Sequence, residues 1–331
     1  MAKVYLNHDG GVDDLVSLLL LLQMPDVELI GVSVVPGDCY LEPAVAATRK
    51  IIDVFGDSTI TVAKSTSRGK NPFPNEWRMH AFYVDALPML NESGEIRTPL
   101  SDVPAHRHMI DLLREADEAV TLLCLGPLTD LARALEEAPD IEGKIAKLVW
   151  MGGTFTPEGN VHEPEHDGTA EWNAYWDPEA VARVWQSGIE IVMFPLKATN
   201  QVPMTLERRN RWASLRKYPA VDFVGQCYAM CPPLVHFETN STYYLWDVLT
   251  TSYIGSTDFA KGREVRCKVH TEIPSQGRIE ECAQGRPVTA MEEVDVEGFF
   301  DYITELLKKA VCNASPYVPY VAGKDGKEGH A

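Results

Sequence analysis

Residues 4–15 have the sequence VYLNHDGGVDDL, in which an apolar strand pattern leads through a glycine-rich turn into an apolar helix pattern. We expect residues 4–6 to form a buried strand and residues 13–23 to form the helix that follows it. The turn and the helix start contain three aspartates, Asp9, Asp13 and Asp14. Ligands usually bind at the carboxyl ends of parallel strands, so this turn is the first candidate for a functional site.

The same alternation of strand and helix patterns continues through the first two-thirds of the chain, which is typical of βαβ units. Further strands are predicted at residues 29–35, 60–63, 120–125, 147–151 and 189–194, and helices at 42–55, 105–116, 128–137 and 178–186. The sequence therefore predicts an α/β fold with an open, mainly parallel but mixed twisted sheet flanked by helices.

No repeat or low-complexity tract divides the 331 residues. We expect a single catalytic domain over residues 1–312 and a disordered tail over 313–331, which ends in GKDGKEGHA. The leucine-rich run at 15–22 is too short to span a bilayer and follows two aspartates, so a cytoplasmic location is expected. Seven cysteines without a paired framework indicate reduced thiols.

The formal net charge of −18 bears on the kind of ligand. An acidic protein repels nucleic acid, phosphorylated metabolites and anionic membranes at long range. We therefore expect a small neutral or cationic ligand, with no nucleic-acid or membrane partner.

The aspartates of the first turn suit a divalent cation. Three carboxylates within six residues offer the oxygen ligands that hard cations prefer. Capping of the helix by Asp13 or Asp14 is the alternative use of these side chains. Asp38 follows the second predicted strand and could reach the same crevice, although a turn aspartate explains it equally.

Two later segments could complete a metal site. In residues 123–128, LCLGPL, the Gly-Pro pair leaves the Leu125 carbonyl outside the sheet ladder, where it could face a cation. An ordinary strand-to-helix turn explains the same residues. In residues 243–247, YYLWD, Asp247 could close the site and hold Trp246 beside a ligand. Core packing and a helix N-cap are the alternative there.

Two long segments rich in Gly, Pro, Asn and aromatic residues are predicted as active-site loops, at 67–88 and 152–178. They contain NPFPNEWR (71–78) and GTAEWNAYWDP (168–178). Aromatic faces next to carboxylates and amides suit a flat heterocycle joined to a sugar, as in a nucleoside, whereas hydrophobic loop anchoring is the alternative. The histidines form no metal or catalytic pattern, and His106 and His108 are predicted as a solvated helix start.

Taken together and in this order, the blocks resemble the nucleoside hydrolase family, and NPFPNEWR, GTAEWNAYWDP and YYLWD are most similar to its purine-specific inosine-adenosine-guanosine branch. The resemblance runs from Lys3 to about Tyr253. It implies a Ca²⁺-dependent enzyme that hydrolyses the N-glycosidic bond of purine ribonucleosides to free base and ribose. It also implies a homo-oligomer, a dimer or a tetramer.

The resemblance assigns roles to individual residues. Asp9 would be a metal ligand and the general base that takes a proton from metal-bound water. The remaining ligands would be Asp14, the Leu125 carbonyl and Asp247. The substrate would be bound by Asp13, Asp38, Glu76, Met151, Asn160, Glu171, Trp172 and Asn173. Trp77 and Trp246 would stack on the purine, and Trp246 stands where the inosine-uridine branch has a histidine acting as general acid.

Two positions depart from the purine-specific pattern. Gly11 replaces an asparagine that contacts ribose, and Glu238 stands near an arginine of a mobile loop. These differences leave open a broader or pyrimidine specificity, or a nucleoside-binding protein with little turnover. A Mg²⁺-dependent phosphohydrolase is a further alternative, disfavoured because Asn7 stands at the nucleophile position and the protein is acidic.

Overall fold

The computed structural model describes residues 1–229 and 243–313. Its strands are β1 (Ala2–His8), β2 (Val27–Val34), β3 (Val62–Lys64), β4 (Val120–Cys124), β5 (Ile145–Met151), β6 (Ile191–Phe194), β7 (Pro203–Met204), β8 (Tyr243–Tyr244), β9 (Ala260–Val269), β10 (Ile279–Glu281) and β11 (Arg286–Val294). The predicted tail from 314 onward and Glu238 lie outside the described residues.

The helices pack on both faces of the sheet formed by these strands. They are α1 (Val12–Gln23), α2 (Leu41–Phe55), α3 (His80–Asp85), α4 (Ala105–Glu115), α5 (Thr129–Glu137), α6 (Trp172–Trp176), α7 (Pro178–Trp185), α8 (Leu196–Thr199), α9 (Leu206–Ser214), α10 (Pro219–Ala229), α11 (Trp246–Gly255) and α12 (Val296–Lys309). Short 3-10 helices cover Trp77–Met79, Pro88–Asn91 and Pro139–Lys144.

The main sheet has nine strands in the order β10-β9-β11-β6-β5-β4-β1-β2-β3. All neighbours from β11 to β3 are parallel, whereas β9 pairs antiparallel with both β11 and β10. A separate two-stranded sheet joins β7 to β8. The predicted α/β fold with a mainly parallel, mixed sheet is confirmed.

The predicted strands and helices agree with the structure to within two residues at each end. The third strand, for example, covers Val62–Lys64 rather than residues 60–63. Strands β9 to β11 were not predicted, because β9 exposes a run of charged residues and lacks the apolar run that marks a buried strand. The two segments predicted as loops contain helices α3 and α6.

Helix α1 explains how residues from distant parts of the chain meet. Its sequence VDDLVSLLLLLQ is buried on nearly every side, because the helix lies against the sheet and also packs against α2, α10, α11 and α12. Among these helices, α11 makes the most extensive contact with α1, and α11 begins at Trp246. This packing brings the residues at the start of α11 next to those at the start of α1.

Several smaller sequence interpretations can be compared with the structure. His106 and His108 are buried, so the predicted solvated helix start is wrong: the His108 ring bonds to the Tyr5 and Thr61 hydroxyls, at 2.9 and 2.7 Å. Cys39, Cys124, Cys227, Cys267 and Cys282 are free thiols. No described helix combines the length and the apolar character needed to cross a membrane.

Candidate active site

The site lies at the carboxyl edge of the parallel strands, where Asp9 follows β1 and Asp38 follows β2. Gly10 between β1 and α1 has a φ of 81°, a left-handed conformation that glycine adopts without strain. Asp14 accepts the backbone N–H groups of Asp9 at 3.2 Å and of Gly11 at 2.8 Å. The helix-capping role considered for Asp14 is therefore present, and it fixes the direction of its carboxylate.

Three aspartates converge although Asp247 lies more than 230 positions after the adjacent Asp13 and Asp14 in the sequence. Carboxylate oxygens of Asp13, Asp14 and Asp247 lie within 4.8 Å of one another, and all three residues are buried. Asp13 accepts the Tyr243 hydroxyl at 2.7 Å and the Asp247 backbone N–H at 3.2 Å. The Oδ1 atom of Asp247 is buried without a hydrogen-bond partner. This oxygen is free to bind a ligand.

The side chain of Asp9 lies between the backbone of Gly37 and that of Gly126. A Cβ atom at Gly37 would stand 2.3 Å from Asp9 Oδ2, and one at Gly126 would stand 2.7 Å from Asp9 Cβ. Asp9 Oδ2 also accepts the Asp38 backbone N–H at 3.0 Å. The absence of side chains at the two glycines thus allows the turns after β2 and β4 to enclose this carboxylate.

Residues at the start of α6 form hydrogen bonds with the segments that follow β4 and β5. Glu171 accepts the backbone N–H groups of Gly153, Asn173 and Ala174, at 2.7, 2.7 and 3.2 Å. The Asn173 amide donates to the carbonyls of Leu125 at 2.9 Å and Met151 at 3.2 Å. The Leu125 carbonyl lies outside the ladder as predicted, but it is not free of partners, because Asn173 reaches it from α6.

Burial dominates the electrostatics of these carboxyls. It raises the pKa of Asp9 and of Glu171 to about 7 each. The pKa of Asp14, Asp38 and Asp247 is raised well above its usual value, first by burial and then by repulsion from neighbouring aspartates. Arg78 partly opposes this effect at Asp38. None of these groups has an ion-pair partner among the described lysines, arginines and histidines.

This arrangement fits a hard divalent cation. The donors are oxygen atoms, which Ca²⁺ and Mg²⁺ prefer, and one buried carboxylate oxygen has no other partner. Buried like charges without a counter-charge are costly, and a cation would remove that cost. The group includes Asp13, which the sequence interpretation assigned to the substrate, while the predicted ligand Asp9 contacts the group through Asp14.

The aromatic residues form two clusters. Trp77 packs edge-on to Trp172 at 5.4 Å between ring centroids, and Phe73 stacks on Trp172 at 5.0 Å. Trp246 packs edge-on to Tyr243 at 4.9 Å, and its indole N–H donates to Asn200 at 2.8 Å. Within the described residues Trp77 and Trp246 make no ring contact with each other. Their predicted sandwich of a base remains a prediction.

The other predicted site residues have different surroundings. Asn160 supports Trp172, because its side chain accepts the Trp172 backbone N–H at 3.1 Å and its carbonyl accepts the indole N–H at 3.0 Å. Glu76 is exposed and makes no hydrogen bond or ion pair with a described residue. Sequence reasoning missed the roles of Tyr243, Gly37 and Gly126, since a hydroxyl contact or a close approach leaves no periodic pattern.

A profile of the inosine-uridine preferring nucleoside hydrolase family matches residues 4–301. The crystal structure of an inosine-uridine preferring nucleoside hydrolase from Bacillus anthracis is similar, with 63% identity, a TM-score of 0.89, and coverage of 93% of this chain and 100% of that chain. The non-specific ribonucleoside hydrolase RihC of Salmonella paratyphi A is 28% identical over 333 residues, covering 93% of this chain and 98% of RihC.

Eukaryotic relatives match over a shorter part of their length. The chain spans 67% of an uncharacterized Schizosaccharomyces pombe protein at 30% identity and 64% of a probable uridine nucleosidase 2 of Arabidopsis thaliana at 28% identity. The family profile extends beyond Tyr253, where the resemblance in the sequence ends, to residue 301 and therefore includes β9 to β11.

Proposed function

The chain belongs to the inosine-uridine preferring nucleoside hydrolase family and is a ribonucleoside N-glycosyl hydrolase, and from this premise we propose that it cleaves purine ribonucleosides in preference to others, with Ca²⁺ as cofactor. The observation that carries the proposal is the buried acid cluster at the carboxyl edge of the sheet, which Trp246 approaches through its ring contact with Tyr243, the donor to Asp13. The catalytic unit in this proposal is one domain over residues 1–312.

The proposed ligands are Asp9, Asp14, Asp247 and the Leu125 carbonyl, with Asp13 held against the same group. A Ca²⁺ ion bound there would supply positive charge that lowers the pKa of a water molecule in its coordination shell. Flexible coordination by six to eight oxygens suits Ca²⁺ better than the strict octahedron of Mg²⁺.

Asp9 is the proposed general base. Its enclosure by Gly37 and Gly126 fixes the carboxylate in one place, and the Asp38 N–H holds Oδ2 at 3.0 Å. In its ionised form Asp9 takes the proton of the water that attacks C1′ of the ribose. General-base catalysis of this kind contributes roughly 10²- to 10⁴-fold to the rate.

Ribose binding is assigned to the residues around α6 and to two aspartates. The Asn173 amide donates to the Met151 carbonyl, and Glu171, two positions before Asn173, acts electrostatically on Asp9. Asp13, Asp38 and Glu171 are acceptors that suit sugar hydroxyls. The carboxylates also stabilise the positive charge that develops on the ribose in an oxocarbenium-like transition state. Asn160, Trp172 and Glu76 complete the proposed set.

The purine preference rests on Trp77 and Trp246. Both residues are only partly buried, and we assign the accessible part of each indole to contact with a planar base. Stacking on a base that gains positive charge contributes roughly 0.5 to 2 kcal/mol. This free energy corresponds to a rate enhancement of only about 2- to 30-fold. The metal and the ribose contacts must therefore supply most of the catalysis.

A broader specificity is the second candidate. The Bacillus anthracis protein is called inosine-uridine preferring and the RihC protein is called non-specific, which favours cleavage of both purine and pyrimidine ribonucleosides.

A nucleoside-binding protein with little turnover is the candidate of another class. It is motivated by Gly11 and Glu238, which stand where the purine-specific pattern has a ribose-contacting asparagine and an arginine.

The decisive experiment measures ribose release from inosine, adenosine, guanosine, uridine and cytidine, with added Ca²⁺ and with chelator. We expect the three purine nucleosides to be cleaved fastest and chelator to abolish release. The Asp9→Asn variant should lose roughly 10²- to 10⁴-fold in kcat and serves as the control that the activity belongs to this site. Equal or faster uridine cleavage would replace purine preference by the broader specificity, and activity that survives chelation would exclude the metal role.

A further inference from the structure

One arginine binds both polar groups of a single peptide unit next to the acid cluster. The Arg78 guanidinium donates from Nε at 3.0 Å and from Nη2 at 2.9 Å to the carbonyl of Cys39. The N–H of Tyr40, which belongs to the same peptide unit, donates to the Arg78 carbonyl at 3.3 Å. The guanidinium also lies 4.7 Å from the centre of the Tyr40 ring. Arg78 is therefore held in one orientation from three sides.

These contacts connect two parts of the proposed site. On one side, Arg78 directly follows Trp77 in the same 3-10 helix. On the other side, the guanidinium binds the carbonyl of Cys39. Cys39 directly follows Asp38, whose N–H donates to Asp9. A continuous path of covalent and hydrogen bonds thus runs from the Trp77 indole to the carboxylate of the proposed general base.

Other contacts hold the segment around Arg78 in place. The Tyr40 ring packs on Phe82 of α3 at 5.6 Å between centroids. The positive charge of Arg78 acts on Asp38 and lowers its pKa against the effect of burial. A planar guanidinium can donate twice to one oxygen and stack on an aromatic ring at the same time, which an ammonium cannot do.

We propose that Arg78 is a positioning residue that fixes Trp77 relative to Asp38 and Asp9, and that through Trp77 it determines how strongly the site binds the base of the substrate. This inference rests on the proposed function, because it takes Trp77 as the surface that contacts the base. It assigns to Arg78 no contact with the substrate itself.

The consequence is a selective effect on the base. Without the guanidinium, the Trp77 segment loses the two side-chain hydrogen bonds to the turn after β2 and keeps the backbone bond from the Tyr40 N–H, while the acid cluster keeps its own hydrogen bonds. We expect Arg78→Ala to weaken inhibition by a free purine base roughly tenfold and to change inhibition by free ribose less than twofold. Arg78→Lys, which keeps the charge but lacks the planar fork, should lie between the two.

The test measures inhibition constants of hypoxanthine and ribose, with inosine as substrate and Ca²⁺ present, for the wild type, Arg78→Ala, Arg78→Lys, Trp77→Ala and the double variant Trp77→Ala/Arg78→Ala. If Arg78 acts through Trp77, its replacement has no further effect on hypoxanthine inhibition once Trp77 is absent. The matched control is Arg49→Ala, because Arg49 also donates to a loop carbonyl, that of Thr98 at 2.7 Å, away from the site. It should leave both inhibition constants unchanged.

Two outcomes would overturn the inference while the proposed function stands: equal weakening of base and ribose inhibition in Arg78 variants, or a full Arg78 effect in the Trp77→Ala background. If Arg78→Ala does not fold, Arg78→Lys decides by the same comparison. Failure of the proposed function is recognised separately, because the wild type would then release no ribose from inosine.

Discussion

At the level of single residues, the site depends on two glycines as much as on its acidic side chains. Gly37 and Gly126 approach Asp9 so closely that any Cβ atom would overlap it. A close approach of this kind is a typical reason for glycine beside a functional group. The backbone at the two glycines packs closely against the Asp9 side chain, and the Asp38 N–H donates to its Oδ2 atom.

A substitution at Gly37 tests this enclosure. In Gly37→Ala the new methyl group would meet Asp9 Oδ2 at 2.3 Å and displace the carboxylate. We expect kcat/KM for inosine to fall roughly 10²-fold, since a misplacement of about 1 Å has that effect on catalysis. Steady-state kinetics checks this, with Gly143→Ala as control, because a Cβ atom at Gly143 meets nothing within 4 Å. Full activity in Gly37→Ala would show that Asp9 does not need its present position.

At the level of secondary-structure elements, the segment that carries Trp77 is attached at its beginning as well as at Arg78. Ser65 and Ser67, just after β3, both donate their hydroxyls to Asp130 Oδ1 at 2.8 Å. Asp130 is fully buried in the first turn of α5. Helix α5 itself follows the turn that contains Leu125, so one helix supports two parts of the site region.

The stability contributed by this attachment can be measured. We expect Asp130→Ala to lower the free energy of unfolding by roughly 1 to 3 kcal/mol, because two buried hydroxyls lose their acceptor. Asp130→Asn should cost less, since the amide oxygen can still accept both bonds. Urea denaturation provides the measurement.

An exposed counterpart serves as the control for Asp130. Asp167 accepts the hydroxyls of Thr169 and Ser275 at the surface, where water can replace it. Asp167→Ala should therefore change the free energy of unfolding by less than Asp130→Ala does. Equal losses for the two alanine variants would contradict the role given to burial.

At the level of the whole molecule, burial of carboxyls links stability to pH. The pKa of Glu171 rises from 4.5 to about 7 in the folded chain, mainly through burial and against three backbone N–H donors. A folded-state pKa above the unfolded value means that the contribution of Glu171 is complete below pH 4.5 and is lost as the pH rises through about 7. Buried histidines such as His8, with a pKa lowered to about 3, act in the opposite direction.

The comparison of wild type with Glu171→Gln isolates Glu171 together with its effect on Asp9, because the charge of Glu171 also raises the pKa of Asp9 while titrations elsewhere cancel in the difference. In chelated protein we expect the variant to be less stable at pH 5, with a deficit that shrinks by on the order of 2–3 kcal/mol as the pH rises to 8. Urea denaturation at several pH values measures it. A deficit that stays constant or grows with pH would show that Glu171 is ionised throughout this range.

Local sequence determined a large part of this protein. The apolar pattern of residues 4–6, the glycine turn and the helix after it fixed β1, α1 and the place of Asp9, Asp13 and Asp14. The alternation of apolar runs with helical patterns also fixed the order of the central parallel strands. These features follow from the sequence because strand and helix periods express burial within a few residues of each other.

Tertiary structure alone decided which distant groups meet. The contact of Asp247 and Tyr243 with Asp13 depends on packing of α11 against α1. The bond from Asn173 to the Leu125 carbonyl likewise depends on where α6 lies beside the sheet. Hydrophobic periodicity specifies that a face is buried but not the partner that covers it, because burial of apolar surface is non-directional and many partners satisfy it.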